Sequence, residues 1–133
     1  MTSKVTYLGE LRTSSVHINS GSEIISDAPL DNNGKGEAFS PTDTVATALA
    51  TCMLTVMGIK ARSLDVDFTG ATAEVTKHMQ SEPRKISKIE VRFQMALSPD
   101  EKTRTILERT AMTCPVYLSL HPDIEKEVTF KWS

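Results

Sequence analysis

The chain carries no excess of positive charge and few aromatic side chains. It has 15 Lys and Arg residues against 17 Asp and Glu, a formal net charge of −2, and aromatic residues make up 5% of it. Nucleic-acid backbones are bound by clusters of Lys and Arg, and single-stranded bases stack on aromatic rings. We therefore do not expect nucleic acid among the partners of this protein.

The sequence also shows neither an export signal nor a run long enough to suggest a membrane span. No apolar core follows the single lysine of the first seven residues, so they do not resemble a signal peptide. The uncharged stretch from Thr44 to Ile59 has 16 residues, four of them threonine, whereas roughly 18 apolar residues suggest a span. We expect a cytoplasmic protein with no membrane partner.

Cysteines are scarce, and none of the short-spaced motifs is present. Cys52 and Cys114 are separated by far more than a Cys-x-x-Cys spacing, and no pair of His and Cys residues has the spacing of a zinc site. The Gly34–Gly36 stretch is too short for a phosphate-binding loop. In a reducing cytoplasm, two cysteines are more often catalytic or incidental than structural. No metal or other cofactor is expected.

Hydrophobic periodicity predicts one α+β domain over residues 1–133. Short strands and turns fill the first forty residues, and a strand is expected to begin at Val66 and Phe68. The clearest strand alternates from Ile89 to Leu97, and the last strand ends at Trp132. Two helices are expected between those strands, the first opened by Ser98-Pro99 and the second by Thr113 or Cys114 ahead of Pro115. Strands and helices follow one another in runs, which favours α+β over alternating α/β.

The longest helix is predicted from Pro41 to about Arg62. Ser40 suits the N-cap, Pro41 the first helical position, and Asp43 the third position of a capping box. The helix is apolar on nearly every face, so nearly every face should be covered. A domain of 133 residues does this poorly alone, and we therefore expect a partner subunit.

The two cysteines are expected in different surroundings. Cys52 lies near the middle of the long helix, where a thiol is most often an inert core residue. Cys114 precedes Pro115 at a helix start, where the dipole and exposed N–H groups should lower the pKa of its thiol. The alternative for Cys114 is a cap or loop residue without chemistry.

The segments around both cysteines resemble the OsmC/Ohr family, the osmotically inducible and organic hydroperoxide resistance proteins. The matching segments are FSPTDTVATALATCML, from Phe39 to Leu54, and CPVYLSL, from Cys114 to Leu120. The resemblance implies an intertwined homodimer with a long buried central helix flanked by antiparallel sheets. It also implies reduction of organic hydroperoxides without metal or flavin. By this resemblance Cys52 attacks the peroxide, Cys114 resolves the sulfenic acid as a disulfide, and a cellular dithiol reduces the disulfide.

The resemblance also implies an arginine beside the attacking thiol, and Arg12 is the only arginine before the long helix. The alternative for Arg12 is a solvated strand or loop residue. Well-studied branches of the family hold this arginine with a glutamate ten residues before the cysteine, where this chain has Thr42. Asp43 is the nearest substitute, although its capping position explains it equally well.

Two other functions stay open. The protein could be a non-enzymatic binder of small apolar molecules with structural cysteines, which the threonine at position 42 favours. It could also be a redox sensor whose oxidation alters the binding of a partner. A peroxidase requires two thiols that can meet and an apolar pocket beside Cys52.

Overall fold

The computed structural model describes all residues from 1 to 133 as a mixed α+β fold with two three-stranded sheets. The chain forms two compact units, residues 1–45 and residues 46–133. The strands are β1 (Ser3–Gly9), β2 (Arg12–His17), β3 (Glu23–Asp27), β4 (Thr72–Gln80), β5 (Lys85–Met95) and β6 (Glu125–Trp132). The α-helices are α1 (Pro41–Ser63), α2 (Glu101–Ala111) and α3 (Pro115–Ser119), and a short 3-10 turn covers Leu30–Asn32.

The first unit is an antiparallel meander of β1, β2 and β3. Glu10 and Leu11, with φ of 53° and 65°, form the two central residues of the turn from β1 to β2. Positive φ at both central positions is the geometry of a tight hairpin turn. This turn makes Arg12 the first residue of β2, and the β2–β3 register places it directly opposite Asp27.

Helix α1 begins with the predicted capping box. The Asp43 N–H donates to Ser40 Oγ at 3.1 Å, and the Ser40 N–H donates to Asp43 Oδ2 at 3.0 Å. Each bond satisfies one backbone N–H group at the helix start, which has no partner within the helix. The predicted helix is confirmed within one residue at its end, and Lys60 and Arg62 lie in its last turn, where the dipole favours cations.

Within one chain α1 buries one face. The buried residues recur at helical spacing and are Ala46, Leu49, Ala50, Met53, Met57 and Ala61. The opposite face is open, and Ile59 on it is 66% exposed. By length and composition alone α1 could cross a membrane. The sequence predicted no membrane span, because the uncharged run within this helix has only 16 residues. The buried stripe shows that α1 also supplies the core of the second unit.

The second unit contains the sheet β4-β5-β6 with β5 in the centre. Ile89, Val91, Phe93 and Met95 of β5 are buried and alternate with more exposed residues, as the pattern predicted. The expectation of antiparallel sheets is wrong for one pair, because β6 runs parallel to β5. Parallel pairing is possible because α2 and α3 lie between these strands in sequence and form the crossover.

Two predicted boundaries also differ from the structure. Residues 66–68 are not a strand, and β4 begins only at Thr72. Helix α2 begins at Glu101, with the Asp100 side chain accepting from the Thr103 N–H at 3.0 Å. Asp100 is therefore the N-cap, and Pro99 lies before the helix rather than at its first position.

Candidate functional site

Helix α1 carries Cys52 in its middle, at the border between the buried stripe and the open face. Met53 beside it is fully buried, whereas Thr51 is exposed. Cys52 itself is half-buried and packs against the core as a free thiol. The sequence predicted its helix and its apolar surroundings, and the structure adds that part of this side chain is accessible.

Cys114 is the N-cap residue of α3. Its backbone is extended, with φ of −64° and ψ of 140°, and Pro115 takes the first helical position. The Tyr117 N–H donates to Cys114 Sγ at 3.2 Å, so the sulfur satisfies one of the free donors at the helix start. The predicted cap is confirmed, and the side chain is fully buried.

The two thiols are neighbours in the second unit, and both are free cysteines. Burial is the largest influence on Cys114 and raises the pKa of its thiol, the Tyr117 N–H opposes this rise, and the neighbouring Cys52 adds to it. The expectation that the helix start would lower this pKa is therefore wrong. Five helical residues provide few aligned dipoles, and the loss of hydration outweighs them.

This arrangement pairs a partly accessible sulfur with a buried, protonated one. The accessible sulfur can be reached by a small molecule, while the buried one is kept from solvent and from most oxidants. If the first sulfur became a sulfenic acid, the second would be a neighbouring nucleophile, and condensation would join them as a disulfide. The geometry of the pair therefore permits two-step thiol chemistry.

A cavity of about 650 Å³ opens further along α1. Its lining includes Leu54, Thr55, Gly58, Ile59, Arg62 and Phe68. The first of these residues follows Cys52 by two positions, and Cys52 itself is not part of the lining. The size lies within the usual range for small-molecule sites, but an apolar pocket beside Cys52 itself stays a prediction.

Arg12 and Asp43, the other two predicted site residues, lie in the first unit. Arg12 is not a loosely solvated side chain, because Asp27 accepts two hydrogen bonds from its guanidinium. Glu37 adds a third and longer contact at 3.5 Å. Asp43 takes part in the capping box described above, and its additional role beside Arg12 stays a prediction.

The sequence interpretation missed Asp27 and Glu37. Asp27 is 1% exposed, and the Arg12 guanidinium lowers the pKa of its carboxyl group, so it is ionised at neutral pH. The signal that could have found Asp27 is the register of the second hairpin. Continuing β3 by one residue past Ser26 places position 27 opposite position 12.

Comparison with known proteins identifies a family to which the chain is similar. The family model of OsmC-like proteins matches residues 34–129. A solved structure from Psychrobacter arcticus 273-4, named for osmotic stress induction and a detoxification response, is 55% identical with a TM-score of 0.96. The match covers 98% of this chain and 96% of that one.

More distant solved structures share the fold. An organic hydroperoxide resistance protein OsmC from Legionella pneumophila is 13% identical with a TM-score of 0.73, and 98% of this chain and 97% of that chain are covered. An organic hydroperoxide resistance protein from Vibrio cholerae, with captopril bound in an active site, is 20% identical with a TM-score of 0.72. That match covers 98% of this chain and 91% of the other. None of the curated protein sequences matches the chain.

Proposed function

The chain belongs to the OsmC-like protein family, and we propose that it is a thiol-dependent peroxidase that reduces organic hydroperoxides. The observation that carries the proposal is that Cys52 and Cys114 are neighbours, one thiol partly accessible and the other fully buried. Structures with the same fold from Legionella pneumophila and Vibrio cholerae are named for organic hydroperoxide resistance. These names support the choice of substrate class.

Cys52 carries out the first step of the proposed reaction. Its thiolate attacks one oxygen of the hydroperoxide, the O–O bond breaks, and the second oxygen takes up a proton and leaves as an alcohol. Sulfur is oxidised to a sulfenic acid by two electrons, and the peroxide is reduced by the same two. The partial exposure of Cys52 supports this assignment, because the peroxide must reach the attacking sulfur.

Cys114 carries out the second step. Its sulfur attacks the sulfenic acid, an S–S bond forms, and the hydroxyl group leaves with the Cys114 proton as water. The raised pKa of Cys114 supports its role as the resolving thiol, since a protonated, buried sulfur does not compete for the peroxide. A cellular dithiol then reduces the disulfide by thiol–disulfide exchange and restores both thiols.

Arg12 is proposed to favour the Cys52 thiolate and to guide the peroxide, because a guanidinium stabilises negative charge on sulfur and oxygen.

We further propose that the protein works in the cytoplasm as a homodimer. Exposed apolar side chains in both units support a second subunit, and they are Val5, Tyr7, Leu8, Leu11, Ile24 and Ile59. Scattering at micromolar concentration should give twice the mass of one chain, and a monomer would contradict this proposal.

A second candidate function is the binding of a small apolar molecule without chemistry. The cavity beside Leu54 and Phe68 favours it, because it is large enough for a ligand and does not include either cysteine. In that case both thiols would survive contact with a hydroperoxide, and a ligand would be found with the purified protein.

The proposal is tested by following consumption of cumene hydroperoxide by the fully reduced protein with an excess of a small dithiol. We expect sustained turnover for the wild type and none for Cys52→Ser. Cys114→Ser should react once and then stall, because its sulfenic acid has no resolving partner. Unchanged turnover in Cys52→Ser would show that another group is the nucleophile.

A further inference from the structure

Asp27 holds Arg12 at two points across the β2–β3 pair. Arg12 Nε donates to Asp27 Oδ1 at 2.7 Å, and Arg12 Nη2 donates to Asp27 Oδ2 at 2.8 Å. Directly opposite residues of antiparallel strands lie on the same face of the sheet, so the register brings the two side chains together. A two-point contact between a planar guanidinium and a planar carboxylate fixes direction as well as distance.

The Asp27 carboxylate is itself held in place. The Glu37 N–H donates to its Oδ2 at 3.2 Å, and the Asp27 N–H donates to the Phe39 carbonyl at 3.1 Å. Asp27 is thus tied through its side chain and its backbone to the segment that leads into α1. Because its side chain is 1% exposed, solvent does not compete for these bonds.

Arg12 differs from its anchor in exposure, since 31% of its side chain is accessible. The bonds to Asp27 use Nε and Nη2, so Nη1 is not bonded to Asp27. Glu37, whose side chain is 66% exposed, approaches Nη2 at 3.5 Å and is the weaker carboxylate contact. The arginine therefore has one edge fixed to a buried acid, while part of its side chain stays accessible.

We propose that Asp27 is the positioning residue that orients the Arg12 guanidinium for the chemistry of Cys52. The inference rests on the proposed function, because Arg12 acts there on the thiolate and the peroxide. An unpaired arginine side chain samples many rotamers, whereas the two bonds to Asp27 restrict the Arg12 guanidinium to one orientation. Misplacing a group at a reacting centre by about 1 Å can lower the rate roughly a hundredfold. Asp43, the acid expected from the sequence, takes part in the cap of α1.

Three roles for Asp27 predict different results for Asp27→Asn, which has nearly the same shape and no charge. If Asp27 only neutralises Arg12, its removal leaves the arginine charge less compensated, and the reaction of Cys52 becomes faster. If Asp27 only stabilises the fold, the melting temperature falls and the rate is unchanged. If Asp27 positions Arg12, the rate falls in protein that remains folded.

The experiment measures the second-order rate constant for oxidation of reduced full-length protein by cumene hydroperoxide, with circular dichroism on each variant. A second readout is the pH dependence of Cys52 alkylation by iodoacetamide in the Cys114→Ser background. We expect Asp27→Asn to lose at least about tenfold in rate and to approach Arg12→Ala. The double variant should lose no more than Arg12→Ala alone, since the two residues act as one unit.

Two further variants keep the test decisive. Glu10→Gln is the matched control, because it removes the exposed 2.6 Å ion pair with Lys35 from the same unit, and it should react like the wild type. If Asp27→Asn does not fold, Arg12→Lys tests whether the orientation of the guanidinium matters, because lysine keeps the charge but cannot form the two-point contact. We expect Arg12→Lys to fall to within a few-fold of Arg12→Ala.

The inference is overturned if folded Asp27→Asn, or Arg12→Lys, oxidises as fast as the wild type while Arg12→Ala is slow. It is also overturned if Asp27→Asn is faster. Failure of the proposed function looks different. In that case the wild type itself keeps both thiols in the presence of the hydroperoxide, and the Asp27 and Arg12 variants do not differ from the wild type.

Discussion

Oxidation by an organic hydroperoxide should make this protein substantially harder to unfold. Cys52 and Cys114 belong to the same compact unit and are neighbours in it, so a disulfide between them would form within that unit. It would close a loop of about 60 residues, which in the chain-entropy account stabilises the fold by about 4 kcal/mol at 25 °C. For a chain of this length that corresponds to a rise in melting temperature on the order of 10 °C.

The assay compares the melting temperature of the reduced protein before and after one equivalent of cumene hydroperoxide, with excess peroxide removed. Cys114→Ser is the matched control, because it loses the resolving sulfur and should show no comparable rise. Adding a dithiol to the oxidised wild type should restore the original melting temperature. An oxidised wild type that has lost both thiols and yet melts at the reduced temperature would refute an internal Cys52–Cys114 bond.

Three further outcomes are expected. Met57→Ala removes a fully buried side chain from the stripe of α1 and should cost about 2–5 kcal/mol in urea unfolding, while exposed Lys60→Ala should stay within about 0.5 kcal/mol. Ser40→Ala removes one bond of the capping box and should cost about 0.5–2 kcal/mol, and an unchanged urea midpoint would contradict that role. Because burial raises the pKa of Cys114, the unfolded state loses this proton first, so stability should fall as pH rises above about 8.5. Cys114→Ala should lack that part of the decline, and an identical pH dependence would exclude Cys114 as its source.

Local signals were sufficient for the elements that carry the thiols. The Ser-Pro-x-Asp start of α1 predicts its capping box, because each of those residues acts within four positions of itself. Cys114 before Pro115 similarly predicts the start of α3. The alternation in β5 predicts a strand with one buried face, since a period of two needs no knowledge of partners.

The features that escaped prediction depend on contacts between distant parts of the chain. The parallel pairing of β6 with β5 is decided by the crossover through α2 and α3, not by the alternation within either strand. The pKa of Cys114 depends on burial by residues far away in sequence, so the helix start alone gave the wrong direction. Asp27 was missed because its importance comes from a cross-strand partner.

The measurement that tests the central claim most directly is a free-thiol count with intact mass on the reduced protein, before and after one equivalent of an organic hydroperoxide. The account predicts rapid loss of both thiols and of about two mass units, from the two hydrogens released on disulfide formation. Cys114→Ser should instead gain about 16 mass units, the one oxygen of a Cys52 sulfenic acid. Two thiols that persist unchanged for many minutes would contradict the peroxidase and favour the binding protein.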